Sequence, residues 1–299
     1  MTFLVALNPS ANGGRARSLK ASLERSFDRS GLEAEWLEAD SAEGVREALA
    51  RKDLSPYQGV VAAGGDGTVF QVLNGLCVHE PAARPPLGIL PVGTGNAFAR
   101  DLGLAPGDWS AGMALLAGGS TRAVDLAEAR CADATFWFIN IIGLGFVVEA
   151  GQWATRLKRL GRAAYTLGAL AAMVRLKTHD LVLTLDGERF ALSGPFVELS
   201  NSRYTGTHFL IAPDARLDDG LLDLTGVSRV SRRRLVKLFP TIYDGSHVEL
   251  EEVVTRQAAR VTIEAPQGLP LMADGEFIGH TPVDIRCHPG ALRVFSSPP

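Results

Sequence analysis

A run of small residues around one carboxylate, beginning at Val60, carries the strongest chemical signal in this sequence. Val60–Ala63 are small and apolar, which is typical of a parallel strand covered on both faces. The residues that follow are Gly64, Gly65, Asp66, Gly67 and Thr68. Backbone N–H groups at such a strand–glycine–helix junction favour phosphate, and Thr68 is predicted to cap a helix that begins near Val69. The segment is therefore predicted to bind phosphate, although an ordinary tight turn with a capping threonine has the same pattern.

Two further glycine-rich turns follow predicted strands in the same part of the chain. The first contains Asn8, Pro9, Ser10 and Gly13, and the second contains Gly93, Thr94, Gly95 and Asn96. Ligands of open α/β sheets bind at the carboxyl ends of the strands, so these turns could hold a triphosphate from more than one side. The pattern GxxxxGK[ST] is absent from the sequence, which excludes a P-loop.

Phosphoryl transfer also needs a metal ion and a base. Asp66 and Asp125 are metal candidates at predicted strand ends, although Asp125 is equally typical of a turn or a helix cap. Asp219 precedes Gly220 and could hold a hard cation together with backbone carbonyls. An Asp-Gly pair is also typical of a hairpin turn, and spacing favours that interpretation.

A later Asp-Gly pair, Asp274–Gly275, follows a short apolar run. The pattern is typical of a hairpin turn. Asp274 could also accept the proton of an attacking hydroxyl, with Glu276 as a close neighbour. Spacing alone leaves both interpretations open.

Strand, loop and helix alternate four times in about the first hundred residues, which predicts a doubly wound α/β domain with a parallel sheet. Later strands joined by Asp-Gly turns predict an antiparallel second domain. We place the boundary between the two domains near Glu128. The later predicted elements include a strand at Phe136–Ile142, a helix at Glu149–Lys177, a helix at Ser231–Leu238 and a last strand at Ala291–Phe295.

The composition of the chain argues against several classes of function. The chain has 299 residues, 46% of them hydrophobic, and its net charge of −3 argues against nucleic acid as a partner. Three scattered cysteines show no metal-ligand spacing and are typical of a reducing compartment. No apolar run reaches the roughly 18 residues of a membrane-spanning helix. We therefore expect a cytoplasmic protein, which could form a homodimer. If its substrate is a lipid, the protein would meet the membrane from the cytoplasmic side.

Taken together, these motifs resemble the diacylglycerol kinase catalytic-domain family, in particular its bacterial soluble lipid-kinase branch. The matching segments follow one another over nearly the whole chain: NPSANGG at Asn8–Gly14, GGDGTVFQVLNGL at Gly64–Leu76, LPVGTGNAFARDLGL at Leu90–Leu104, ARLDDGLLDL at Ala215–Leu224, DGE at Asp274–Glu276 and PGALRV at Pro289–Val294.

The resemblance implies an NAD-kinase-like α/β domain that binds the nucleotide, at residues 1–128, with a last strand that returns to it at about 290–299. It also implies a C-terminal antiparallel β-sandwich domain for the lipid acceptor, at residues 129–289, with ATP between the domains. The nucleotide would be cradled by Gly64–Phe70, which includes Val69 and Phe70, and by Thr94, with Asn8–Gly13 nearby.

The resemblance also implies chemical roles for the carboxylates. Asp274 would be the general base on a lipid hydroxyl, with Glu276 beside it. A structural Mg²⁺ would be held by the Asp219 side chain and by the carbonyls of Arg216 and Leu221. Asp66 and Asp125 would belong to a catalytic Mg²⁺ network.

Two positions depart from the family pattern. Ala97 stands where the family often has Asp, which removes one carboxylate from the proposed metal network. The segment Trp36–Asp40 lacks the threonine that often contacts the nucleotide. An NAD-kinase-like soluble phosphotransferase and a non-catalytic nucleotide-binding regulatory protein therefore remain the alternatives to a lipid kinase.

The predicted helix Glu149–Lys177 bears on the substrate. Its apolar residues recur at helical spacing with basic residues between them, so it could lie on an anionic membrane surface. A helix packed on the sandwich with solvated charges fits the same pattern. Arg232–Arg234 could form another lipid-facing patch or simply a solvated surface.

Overall fold

The chain forms two compact units. The computed structural model describes residues 2–7, 16–37, 39, 41–93, 96–132, 134–157, 163–174, 176–206, 208–266 and 268–297. The first unit comprises Met1–Val124 and Gly290–Pro299, and the second comprises Asp125–Pro289. The boundary suggested by the sequence, near residue 128, lies four residues further along the chain.

The first unit alternates strands and helices, as its sequence pattern predicts. Its elements are β1 (Thr2–Leu7), α1 (Ala16–Arg29), β2 (Glu33–Leu37), α2 (Ala42–Arg51), β3 (Gly59–Gly64), α3 (Asp66–Leu76), β4 (Leu87–Pro91), α4 (Ala97–Asp101), α5 (Trp109–Gly118) and β5 (Thr121–Arg130), the last of which continues into the second unit.

Strands β2, β1, β3 and β4 lie side by side in that order and run parallel. Val60–Ala63 are fully buried in the middle of this sheet, which explains why the strand contains only small apolar residues. Leu7 pairs with Ala63, and Gly64 pairs with Pro91. The ends of β1, β3 and β4, which the three glycine-rich segments follow in the sequence, therefore lie at the same edge of the sheet.

The second unit is built on antiparallel strands with three helices. Its elements are β6 (Thr135–Phe138), β7 (Ile141–Gly145), α6 (Phe146–Arg156), α7 (Ala163–Val174), β8 (His179–Leu185), β9 (Glu188–Gly194), β10 (Phe196–Ser200), β11 (Tyr204–Thr205), β12 (Phe209–Leu210), β13 (Leu222–Val227), α8 (Arg232–Leu238), β14 (Val253–Ala258), β15 (Arg260–Glu264), β16 (Pro270–Ala273), β17 (Glu276–His280) and β18 (Val283–Phe295).

Two antiparallel sheets make up most of this unit. One has the order β14-β13-β10-β7-β16-β17, and the other contains β9, β8, β15 and the first part of β18. Leu192 on β9 lies against Gly226 on β13, so the two sheets pack face to face. The predicted fold class, an α/β domain followed by an antiparallel sandwich, is confirmed.

Strand β18 is continuous where the sequence suggests two separate strands. Its first part pairs with β15 in the second unit, and Val294 pairs in parallel with Leu87 of β4 in the first unit. Phe295 packs edge-on against Phe3, with ring centroids 5.6 Å apart. The predicted returning strand therefore extends the parallel sheet of the first unit.

The prediction of a single helix at Glu149–Lys177 is wrong. The structure has two helices, α6 and α7, which pack against each other, and one continuous helix cannot do this. Apolar residues recur at helical spacing through both helices, so the periodicity does not show where one helix ends and the next begins.

The strand predicted at Phe136–Ile142 is also divided. Strand β6 ends at Phe138 and β7 begins at Ile141, with a bend at Ile139 and Asn140. The run is apolar apart from Asn140, so the periodicity hides the bend. Among the described residues, no helix is long and apolar enough to cross a membrane.

Candidate active site

The first glycine-rich loop joins the buried end of β3 to the N-terminus of α3. Gly65 occupies the N-cap position with an extended backbone, and its carbonyl accepts the N–H groups of Thr68 at 2.9 Å and Val69 at 3.1 Å. The helix therefore begins at Asp66, three residues earlier than predicted. The prediction that Thr68 caps the helix is wrong, because Thr68 is buried in the first turn.

Gly93, in the second glycine-rich turn, packs directly against the first loop. Its N–H donates to the carbonyl of Gly64 at 3.0 Å. A β-carbon at position 93 would lie 2.5 Å from the backbone N and Cα of Gly65, and one at Gly64 would overlap the side chain of Thr68. Glycine is therefore required where these two loops meet.

The other predicted nucleotide-binding residues differ in which of their groups could contact a ligand. The side chains of Val69 and Phe70 are buried, so these residues can contact a ligand only through the backbone. Asn96 is 3% exposed, and its Nδ2 donates to the carbonyl of Gly93 at 2.8 Å. Asn96 therefore holds the shape of the loop. The predicted residues Asn8, Pro9, Ser10, Gly13, Thr94 and Gly95 lie outside the described residues.

Asp66 links the two loops through its carboxylate. Its Oδ1 accepts the backbone N–H of Ala97, the first residue of α4, at 2.8 Å. Any residue at position 97 except proline could make this bond, so the alanine at this position preserves it. Asp66, Gly67 and Thr68 form the first turn of α3, where helix N–H groups favour an anion.

Asp125 anchors the turn that contains Asp219. The prediction places Asp125 at a strand end, but it lies within β5 and is 1% exposed. Its Oδ2 accepts the N–H of Gly220 at 2.6 Å, and its own N–H donates to Leu217 at 2.6 Å. The structure therefore brings Asp125 together with the Asp219 turn.

The turn itself is held locally. The Asp219 Oδ1 accepts the N–H of Leu221 at 3.0 Å, and Gly220 has a φ of +76°. The Arg216 side chain approaches Asp218, with Nη2 at 3.5 Å from Oδ1. The Asp-Gly pair is therefore a turn, as its sequence favours, and the carboxylate of Asp219 lies at its surface.

Negative charge accumulates around this turn. Burial, together with the charges of Asp125 and Asp219, raises the pKa of the Cys287 thiol to about 12. Burial also raises the pKa of Asp223 to about 6, with Asp219 and Asp214 adding to the effect. The Asp223 Oδ2 is buried and has no hydrogen-bond partner among the described residues. A hard cation would stabilise such a group of carboxylates.

The predicted metal ligands at this turn comprise one carboxylate and two backbone carbonyls. Within the described ranges, no group of three or more His, Cys, Asp or Glu side chains has metal-binding geometry. A site formed by Asp219 with the carbonyls of Arg216 and Leu221 would use a different donor set, suited to Mg²⁺ or Ca²⁺.

Asp274 lies in a hairpin turn and is also chemically unusual. Asp274 and Gly275 connect β16 to β17, with φ angles of 47° and 89°. The carboxylate accepts three backbone N–H groups: Ile139 at 3.0 Å on Oδ2, and Asn140 at 3.0 Å and Ile141 at 2.9 Å on Oδ1. The hairpin and the functional interpretation are therefore compatible.

The environment of Asp274 suits a general base. Burial raises the pKa of this carboxyl to about 6, while the three backbone N–H groups lower it and limit the rise. At pH 7 the group is mostly ionised. The Asn140 side chain also hydrogen-bonds this carboxylate and lowers its pKa. Backbone and side-chain donors together therefore hold both carboxylate oxygens in place. Glu276 begins β17, half-buried, and pairs with Ala273.

The residues that hold the three donors in place were missed by the sequence reasoning. Asn201 donates through Nδ2 to the carbonyls of Asp125 at 3.0 Å and Ile139 at 2.9 Å. The Ser202 hydroxyl donates to the Asn140 side chain at 3.0 Å. The available signal was a polar run, Ser200–Ser202, directly after an apolar strand. These residues fix the bend that binds Asp274.

A second buried carboxyl, Glu198 on β10, was also missed. It is 2% exposed, and its Oε1 has no hydrogen-bond partner in the described part of the chain. Burial raises its pKa to about 8, an effect that Ser200 offsets only in part. Glu198 is therefore mostly protonated at pH 7.

Replacing Glu198 by Gln is expected to change the pH dependence of stability. The folded protein keeps the proton up to about pH 8, whereas the unfolded chain releases it near its ordinary pKa of 4.5. The free energy of unfolding of the wild type therefore falls as pH rises between these values. The Tm of Glu198→Gln minus that of the wild type should grow from pH 5 to pH 8 and then level off. A difference that does not vary with pH would contradict the buried neutral carboxyl.

Comparison with known proteins identifies the family. The model of the diacylglycerol kinase catalytic domain matches residues 2–129, and that of the YegS C-terminal NAD kinase beta sandwich-like domain matches residues 140–296. A diacylglycerol kinase of Mycobacterium tuberculosis (strain ATCC 25618 / H37Rv) is 34% identical over 291 residues, which cover 96% of this chain and 92% of that protein.

Solved structures show the same fold. A diacylglycerol kinase from Bacillus anthracis str. Sterne superposes with a TM-score of 0.74 at 22% identity, covering 99% of this chain and 97% of that one. An NAD kinase from Archaeoglobus fulgidus, solved in complex with ATP, superposes with a TM-score of 0.53 at 13% identity, covering 99% and 94%. The family matches and the 34% identity over almost the full length show that this chain belongs to the diacylglycerol kinase catalytic-domain family of lipid kinases.

Proposed function

We propose that this protein transfers the γ-phosphoryl group of ATP to a hydroxyl of a diacylglycerol-like lipid. The observation that carries the proposal is Asp274, a buried carboxylate whose pKa is raised to about 6 and whose two oxygens are held by three backbone N–H groups. Membership in a family of lipid kinases, and the name diacylglycerol kinase given to the Mycobacterium tuberculosis relative, support the acceptor class.

The nucleotide would bind at the glycine-rich edge of the first unit. The first turn of α3 offers backbone N–H groups to phosphate oxygens, and Gly64, Gly65 and Gly93 let a ligand approach the backbone closely. Asn8–Gly13 and Thr94 belong to this proposal through the family resemblance. The NAD kinase with the same fold, solved in complex with ATP, supports a nucleotide in this class of domain.

Asp274 would accept the proton of the attacking hydroxyl. As the hydroxyl oxygen forms its bond to the γ-phosphorus, the bond to ADP breaks and the proton passes to the Asp274 carboxylate. The base is held rigidly, because the backbone of Ile139, Asn140 and Ile141 fixes both carboxylate oxygens. Glu276 is placed two residues away on the same hairpin.

Magnesium would reduce the negative charge of the phosphates during transfer. Asp66 and Asp125 are the proposed carboxylates of the catalytic network. Asp219, with the carbonyls of Arg216 and Leu221, would hold a structural ion at the turn anchored by Asp125.

Replacing Asp66 by Asn is expected to lower activity by roughly 10- to 100-fold and to raise the Mg²⁺ concentration needed for half-maximal rate. The amide oxygen can still accept the N–H of Ala97, so the loop should keep its shape while the charge is lost. Asp53→Asn is the matched control, because Asp53 also accepts one backbone N–H, from Ser55, but lies at the exposed surface. An unchanged Mg²⁺ dependence in Asp66→Asn would refute a role in metal binding.

The acceptor can be identified with [γ-³²P]ATP and a panel of acceptors in mixed micelles. The panel should contain diacylglycerol, monoacylglycerol, a sphingoid base, ceramide and a phospholipid, with NAD⁺ in a parallel reaction. We expect label in a lipid phosphomonoester, strongest with diacylglycerol. Label in NAD⁺ alone would assign the protein to NAD-kinase chemistry, and ATP binding without any transfer would indicate a regulatory protein.

A further inference from the structure

Helix α7 is apolar on both its inner and its outer side. Its sequence from Ala163 to Val174 contains no charged residue. Ala169, Ala172 and Met173 are buried, whereas Leu167 and Leu170 on the outer side are 41% and 43% exposed. A helix that is apolar all round is normally buried on all sides, so the exposed leucines mark the outer side of α7 as a candidate contact surface.

The apolar surface continues beyond α7. Val236 on α8 is 50% exposed and Tyr243 is 43% exposed. Helices α7 and α8 pack through a shared core that includes Ala169, Met173, Leu235 and Phe239. The Tyr243 hydroxyl lies 3.1 Å from the hydroxyl of Thr166 on α7. We call Leu167, Leu170, Val236 and Tyr243 the α7–α8 face.

Positive charge lies beside this face. Arg232, Arg233 and Lys237 on α8 are exposed, and none of them forms an ion pair with the residues that the structure describes. Arg234, in contrast, is paired with Glu252 at 2.6 and 3.1 Å. Neither α7 nor α8 contains Asp or Glu. The acid nearest to Tyr243 in sequence is Asp244, which accepts hydrogen bonds from Ser246.

We propose that the α7–α8 face docks on a lipid bilayer that contains anionic lipids. The inference rests on the proposed lipid kinase activity and names the surface through which the enzyme would reach its substrate. Apolar side chains flanked by unpaired cations match the boundary between acyl chains and anionic headgroups. A second copy of the chain is a poorer match, because it would present the same three cations and repel the first.

The helices behind this face rest on the strand that leads to Asp274. Helix α6 packs against α7 on one side and against β16 on the other. Gly151 of α6 lies so close to Met272 of β16 that a β-carbon there would overlap the thioether. Between the helices and the sheet lies an apolar cavity of about 70 Å³, lined by residues such as Met173, Phe196 and Leu235. The α7–α8 face is therefore connected to the strand before Asp274 through packed side chains of α6.

The proposal can be tested by co-sedimentation with vesicles of phosphatidylcholine containing 30 mol% phosphatidylglycerol. The leucine variant is Leu167→Gln with Leu170→Gln, and the charge variant is Arg232→Gln, Arg233→Gln and Lys237→Gln. One control is Val78→Gln in the first unit, where a more exposed apolar side chain is lost. The control for charge is Arg260→Gln with Arg286→Gln, on β15 and β18.

We expect the leucine variant to weaken vesicle binding by about tenfold, because two apolar side chains no longer enter the bilayer. The charge variant should lose at least about tenfold at low salt and lose most of its salt dependence. Both controls should bind as the wild type does. Wild-type binding in both face variants, or no vesicle binding by the wild type, would overturn the proposal.

A second readout separates this proposal from the kinase assignment. With a short-chain diacylglycerol that is soluble in water, both face variants should phosphorylate at the wild-type rate, whereas on vesicles their rates should fall with binding. Vesicle binding that depends on the face, without phosphorylation of any lipid, would sustain the docking surface and refute the kinase. Loss of a dimer in the variants, with vesicle binding unchanged, would identify the face as a protein interface and refute docking on lipid.

Discussion

Replacing Asp274 by Asn is expected to lower the turnover of lipid phosphorylation by roughly 10²- to 10⁴-fold, while ATP still binds. The substitution removes the only group that we assign to accept the proton of the lipid hydroxyl. The nucleotide should be unaffected, because its proposed loops lie in the first unit. Turnover can be measured as labelled lipid formed per enzyme, with ATP affinity measured separately by calorimetry.

The loss should not come from unfolding. Burial holds the folded pKa of Asp274 at about 6, above its ordinary value of 3.8, so the ionised group costs on the order of 3 kcal/mol of stability at pH 7. Asparagine removes that cost. It also places an amide N–H₂ opposite the N–H of Ile139, which costs about 1–3 kcal/mol. The two terms oppose each other, so the Tm should change little.

The chain contains a matched control for this substitution. Asp186 also occupies a hairpin turn before glycine, has a φ of 48°, and accepts two backbone N–H groups, from Ala259 at 3.0 Å and Arg260 at 2.8 Å. It is exposed and lies outside the candidate site. Asp186→Asn should therefore keep the wild-type turnover. Near-wild-type turnover in Asp274→Asn, or an equal loss in both variants, would reject Asp274 as the base.

Replacing Gly93 by Ala is expected to weaken ATP binding by more than tenfold and to lower the Tm. The new β-carbon would lie 2.5 Å from the backbone of Gly65, and backbone atoms cannot rotate away as a side chain can. Either the contact between the two loops opens or the strand ends shift. Overpacking of this kind costs about 1–3 kcal/mol. Both changes would disturb the N–H groups proposed to bind phosphate.

Gly118→Ala is the control for the glycine prediction. Gly118 is the last residue of α5, and a β-carbon there would meet no atom within 4 Å. This substitution should leave ATP affinity unchanged and keep or slightly raise the Tm, because it restricts the unfolded chain. If Gly93→Ala bound ATP as tightly as Gly118→Ala, the meeting point of the loops would not be part of the nucleotide site.

The parts of the fold that the sequence predicts well are those specified by local pattern. Val60–Ala63 followed by Gly64 and Gly65 defines a buried parallel strand and a turn, because only small residues and glycine satisfy both requirements. The N-cap of helix α3 was predicted incorrectly. Thr68 has the right chemistry for a cap, but Gly65 takes that position and Thr68 packs over Gly64. Tertiary packing overrides the propensity here.

The surroundings of the candidate base, Asp274, could not be predicted from the sequence. The N–H groups that bind Asp274 come from residues 133–135 positions earlier in the chain, at a bend hidden within an apolar run. No local pattern links Asn140 to Asp274, or Asn201 to either of them. The division between helices α6 and α7 was not predicted for a related reason, because the helical spacing of apolar residues continues from one helix into the next. Burial of Glu198 likewise depends on the neighbouring strands rather than on its own segment.

The most direct test of the central claim is to follow ADP and labelled lipid together, using wild-type protein, [γ-³²P]ATP, Mg²⁺ and diacylglycerol in mixed micelles. We expect one labelled lipid phosphomonoester for each ADP formed, and neither product from Asp274→Asn at a comparable rate. ADP without labelled lipid, or label that appears only in NAD⁺, would contradict the assignment of this protein as a lipid kinase.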